Sequence, residues 1–183
     1  MRDKQNQLQF VVQTWASWPP IAAFDDTNLS NLQNGLLSSI PSHVKRRLSP
    51  LAKTVFCALL QCDGVNKKVP VVFSSSHGEL SKSLDLIKLI EAGEEVSPTT
   101  FSLSVHNAIA GLVSIVLGNT SEITVLAPGE EGIVSAFLDA LGILAEGAPE
   151  VLVVFYDEPL PDFYPSEPFQ LSSNTSCALA LQI

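Results

Sequence analysis

The sequence predicts an α/β fold: a mixed, mostly parallel sheet of five strands with helices on both faces. Three observations predict it. Short apolar runs of strand character alternate with longer segments whose apolar residues recur every three or four positions, and this alternation builds layered α/β domains. One run, KVPVVFSSS at residues 68–76, is continuously apolar through Phe73, as a parallel strand buried on both faces must be. The chain has 183 residues, of which 46% are hydrophobic, enough for the core of one domain spanning residues 1–183.

The elements follow in order. LQFVVQTW reads as a first strand over residues 8–15, and ASWPPIAAFDDTN after it as loop. Ser49 and Pro50 open SPLAKTVFCALLQC as N-cap and first helical residue, since proline loses no hydrogen bond there. Residues 68–74 form the second strand. GELSKSLDLIKLIEAGEE is a helix that Gly93 stops, and SVHNAIAGLVSIVLG, residues 104–118, is a third helix with glycine and alanine suited to close packing. A strand over residues 123–127, a helix in EEGIVSAFLDALGILAEG, a strand over residues 150–156 and, after a proline-rich loop, a strand over residues 177–183 complete the pattern.

Charge and cysteine usage exclude several functions. Ten lysines and arginines face nineteen acids, a net charge of −9, which repels a phosphate backbone and excludes a nucleic-acid partner. No apolar run reaches the roughly 18–20 residues of a membrane span, and no secretory signal opens the chain, so a cytoplasmic protein is expected. Cys57, Cys62 and Cys177 are odd in number and lack metal-site spacing. Buried thiols are expected, with no metal and no cofactor.

The order of several segments resembles the N-terminal half of a β-ketoacyl synthase. They are KRRLSPLAK (45–53), VVFSSSHGEL (71–80), SPTTFSLSVHNAIAGLVSI (97–115), GAPEVLVVFYDEP (147–159) and SNTSCALALQI (173–183). The resemblance runs over nearly the whole chain from Leu8. It is closest to the short, half-length members grouped with chain length factors, and it implies a thiolase-like half-domain.

In active members the strand before the nucleophile ends in Thr-Ala-Cys-Ser, and the helix that starts there lowers the thiol pKa. The matching stretch here is TVLAPGEEGIVSAF, which places the cysteine slot at or beside Glu130. No Cys, Ser or Thr lies between Val125 and Ile133. Glu130 and Glu131 read either as acids favoured at a helix N-terminus or as a carboxylate base in a degenerate pocket. The resemblance also implies that two further catalytic residues belong to a C-terminal half beyond Ile183, so a single-chain ketosynthase is not expected of these residues.

The other polar residues each have two readings. His77 follows Ser74, Ser75 and Ser76 at the carboxyl end of a strand, where open α/β sheets place ligands; it contacts an acyl thioester or helps cap the next helix. The serines have no base paired with them in sequence, and no Gly-x-Ser-x-Gly elbow exists. Ser104, His106, Asn107 and Gly111 lie where the resemblance implies an interface and a pocket wall. The alternative for His106 and Asn107 is a buried, hydrogen-bonded pair. Arg46 and Arg47 are the dense basic patch of an acidic chain, suited to an acyl carrier protein or to the chain's own acids.

The expected function is that of a non-catalytic ketosynthase-like subunit. It would associate with itself or with a ketosynthase, as a homo- or heterodimer, and shape an acyl pocket in fatty-acid- or polyene-type biosynthesis. The second expectation is a diverged thioester hydrolase or decarboxylase that uses Glu130 or Glu131 with His77 or His106.

Overall fold

The computed structural model describes residues 9–21, 26–62, 68–129, 131–162, 164 and 175–183. Its elements are β1 (Thr14–Trp18), α1 (Asp26–Leu36), a 3-10 turn (Leu37–Ser39), α2 (Ser42–Lys45), α3 (Pro50–Leu59), β2 (Val71–Ser74), α4 (Leu80–Glu91), α5 (Pro98–Ser102), α6 (Ala108–Leu117), β3 (Ile123–Leu126), α7 (Val134–Ala145), β4 (Leu152–Asp157) and β5 (Cys177–Gln182). The five strands form one sheet in the order β1-β5-β4-β2-β3. β3, β2 and β4 run parallel, while β5 is antiparallel to both β4 and β1. The mixed α/β sheet with helices on both faces is as the sequence predicts.

Alternation along the strands divides the core into two layers. Val71 and Phe73 of β2, Leu152 and Val154 of β4, Ala178 and Ala180 of β5, and Ala16 and Trp18 of β1 face the side covered by α3 and α6. The neighbouring positions Val72, Val151 and Val153 face the other side and meet Ala136, Ala140 and Ile143 of α7. α3 is the most deeply buried helix: Leu51, Ala52 and every residue from Thr54 to Leu59 are buried. α7 buries one stripe and leaves Val134 and Leu138 exposed, with Ile133 just ahead of it.

Four expectations need correction. The first strand lies at Thr14–Trp18 rather than at residues 8–15. Its register against β5 decides this, because Thr14 pairs with Gln182 and Trp18 with Ala178, so Ala16 and Trp18 point into the core. The third helix begins at Ala108 rather than at Ser104, because residues 98–102 already form a separate short helix and turns occupy the gap. Helices over 26–36 and 42–45 occupy a stretch where the sequence reading placed none. Cys57 and Cys62 are buried as expected, but Cys177 is exposed. Burial pushes the Cys57 thiol up to about 12, which keeps it protonated and inert.

Candidate functional site

The carboxyl ends of β2, β3 and β4 converge with the start of α4, and five hydrogen bonds hold the loop Ser75–Glu79 there. Asp157, the last residue of β4, accepts hydrogen bonds at Oδ1 from Ser75 Oγ (2.8 Å), from the Ser76 amide (3.0 Å) and from the His77 amide (3.3 Å). Ser75 Oγ in turn accepts from the Gly78 amide at 2.7 Å, and the Ser75 amide donates to the Leu126 carbonyl at 3.1 Å. Ser75 is buried, with its proton committed to a carboxylate and a lone pair committed to an amide. It is a loop anchor rather than a nucleophile.

His106 braces the same loop from the turn just before α6. Its Nε2 lies 3.2 Å from the Leu126 carbonyl, and since a carbonyl only accepts, Nε2 carries the proton. The other side of the ring lies against Gly78, whose φ is +58°. A Cβ there would stand 2.5 Å from His106 Nδ1, so both backbone conformation and space require glycine.

The loop ends at Glu79, which is 2% exposed and which the sequence reading did not single out. Ser49 Oγ donates to its Oε1 at 2.6 Å while accepting from the Ala52 amide at 2.8 Å. One hydroxyl therefore caps α3 and solvates a buried acid. Lys82 Nζ stands 3.6 Å from the same Oε1. Burial pushes the Glu79 carboxyl above its usual range; the Ser49 hydrogen bond and the Lys82 charge lower it, and Glu158 raises it. Tyr156 is held above its ordinary value first by burial, then by Asp157 and Glu79. The signals for this layer were present: an acid directly after the buried strand's loop, a lysine three residues on, and an acid ending the apolar run EVLVVFYDE.

The remaining candidates are scattered. Glu130 lies outside the described residues. Glu131 is exposed, and its carboxylate accepts from Ser135 Oγ at 3.3 Å. It does not cap α7, whose N-cap is Ile133 without a side-chain hydrogen bond. No hydrogen bond joins Glu131 to His77 or His106 among the described residues. Ser104 is buried and donates to the Phe101 carbonyl (2.9 Å), and its own carbonyl accepts from Ser83 Oγ (2.9 Å). Asn107 is not part of a buried pair with His106: it is exposed at the start of α6 and makes no side-chain cap. Gly111 faces open space on α6, one turn before Ile115, which is 72% exposed. Arg46 and Arg47 are exposed, and neither pairs with an acid of this chain among the described residues. No group of three His, Cys, Asp or Glu among the described residues is placed to hold a metal, and no helix among them is long and apolar enough to cross a membrane.

A profile of the β-ketoacyl synthase N-terminal domain matches residues 15–183. No curated protein matches the chain. Among solved structures, the chain is similar to the ketosynthase ApeO in complex with its chain length factor ApeC from Xenorhabdus doucetiae, at a TM-score of 0.74 and 21% identity over 96% of this chain and 79% of that one. It is also similar to the ishigamide ketosynthase/chain length factor, at 0.67 and 16% identity over 94% and 61%. A β-ketoacyl synthase from Burkholderia phymatum matches at 0.57 and 15% identity over 78% and 43%. At these identities the likeness is one of fold, and it agrees with the thiolase-like architecture that the sequence implies.

Proposed function

The chain belongs to the β-ketoacyl synthase N-terminal domain family, and from that premise we propose that it is a non-catalytic ketosynthase-like subunit whose role is to associate with a ketosynthase or with a second copy of itself and to shape an acyl pocket. The observation that carries this reading is the turn between β3 and α7. Residues 127–133, APGEEGI, contain neither thiol nor hydroxyl, in the place where the family resemblance puts a nucleophile.

The structure supplies a motive for association beside that turn. Among the described residues β3 is an edge strand that pairs only with β2. In its parallel ladder the Val71 amide donates to Glu122 and the Ser75 amide to Leu126. Thr124 and Leu126 therefore point their backbone groups at β2, and Ile123 and Val125 present theirs to the open edge. An apolar four-residue edge of this kind is a template for strand addition. Two similar structures contain a ketosynthase with a chain length factor, which supports a ketosynthase as partner; fatty-acid- or polyene-type biosynthesis is the setting we propose.

The test is the mass in solution by light scattering, for the chain alone and mixed with candidate ketosynthases. A stable homodimer or a new heteromeric species is the expected result. A monomer at every concentration that ignores every ketosynthase would sink the proposal.

A further inference from the structure

On a chain with ten cations against nineteen acids, three cations line one cleft. Arg46 and Arg47 come from the turn before α3, and Lys82 from the first turn of α4. They border a cavity of about 460 Å³ whose opposite wall is α5 with its hydroxyls Thr99 and Thr100. The one acid among the described lining residues is Asp85, and its carboxylate already has Lys88 at 3.6 Å on the same helix.

Among the described residues the three cations are underused. Arg46 makes a single long hydrogen bond, from Nε to the Ser42 carbonyl at 3.3 Å, and neither arginine is in an ion pair among the described residues. Lys82 Nζ is buried and has no hydrogen-bond partner, because Glu79 Oε1 at 3.6 Å attracts it without accepting a hydrogen bond. An ammonium has three donors to satisfy, and burying it without an acceptor is costly. An anion in the cleft would complete the two exposed arginines, and Lys82, whose side chain is 27% exposed, would reach it by turning its ammonium outward.

We propose that this cleft binds a phosphorylated small molecule, its phosphate held by Arg46, Arg47 and Lys82 and its apolar body laid against Leu48 and Leu103. Three cations exceed what a single carboxylate can neutralise, and guanidinium forks match phosphate oxygens two at a time. The volume lies in the range of small-molecule sites, roughly 300–1,000 Å³, and its concavity favours a small ligand over the convex face of an acidic protein. The site is separate from the β3 edge and does not depend on association.

The experiment is calorimetric titration of the full chain at low salt with inorganic pyrophosphate, and with acetate as the monoanionic control. Saturable binding of pyrophosphate and none of acetate is expected. Arg47→Ala and Lys82→Gln should each weaken the pyrophosphate affinity by about tenfold, the loss of one charge-assisted hydrogen bond. Arg47 is exposed, so its variant keeps the fold even if loss of the Glu79 partner disturbs the other. Lys68→Ala makes the same charge change outside the cleft and should leave the affinity as it was. Unsaturable binding, an affinity unchanged in Arg47→Ala, or equal loss in Lys68→Ala would overturn the proposal. So would absence of phosphate binding together with capture of an acidic carrier protein through Arg46 and Arg47, which would assign the patch to a protein surface.

Discussion

At the scale of single residues, the informative group is Glu79. Its folded carboxyl titrates above the ordinary carboxylate range because burial outweighs Ser49 and Lys82. The folded protein therefore holds that proton more tightly than the unfolded chain. Stability from the neutral form is present below the ordinary carboxylate range and is lost as pH rises through the raised value. Glu79→Gln cannot ionise, so relative to the native chain it should gain stability across that window and level off above it. Urea unfolding at stepped pH measures this; a difference independent of pH would contradict the assignment. Ser49→Ala removes both the α3 cap and the carboxylate's donor, and a loss of about 2–3 kcal/mol is expected in the same assay. Gly78→Ala forces a side chain into φ +58° against His106, and about 2–3 kcal/mol should follow. Restoration of the melting temperature by adding His106→Ala would identify the ring contact as the cause of part of that loss.

At the scale of elements, the helix signals were legible where residue chemistry is local. Ser49 and Pro50 start α3, with Ser49 accepting from the Ala52 amide. The same signature at Ser97 and Pro98 starts α5, with Ser97 accepting from the Thr100 amide at 3.1 Å, yet the longer apolar run behind it obscured the break. Gly118, at φ +60°, ends α6 in the left-handed conformation while the Asn119 amide bonds back to Ser114. For the proposed association the element to test is β3. Val125→Pro removes one amide that points to the open edge and leaves the β2 ladder intact. It should reduce the association seen by light scattering while far-ultraviolet circular dichroism stays native. Unchanged association would place the contact elsewhere on the chain.

At the scale of the molecule, charge and apolar surface act together. A net charge of −9 makes the compact state repel itself, and salt screens that repulsion. Raising sodium chloride from about 20 to about 500 mM should therefore raise the thermal midpoint by a few degrees in a melting assay, and a falling midpoint would show that attractive pairs dominate. The sheet's two faces are unequally covered. α3 and α6 bury one, while the other rests on α7, which leaves Val134 and Leu138 exposed. That apolar surface and the β3 edge are what association would cover.

Periodicity and capping are properties of neighbouring residues, so the sequence by itself determined the α/β class, the four strands from Val71 onward to within a few residues, the α3 start and the absence of a thiol or hydroxyl in the turn after β3. The position of β1 follows from its register against β5, which lies some 160 residues away, and no local pattern contains that. The Ser75–Asp157, His106–Gly78 and Ser49–Glu79 contacts likewise join separate parts of the chain. Only the tertiary structure could decide them, because which polar groups meet in the interior depends on how distant elements pack and on which buried donors and acceptors must then be satisfied.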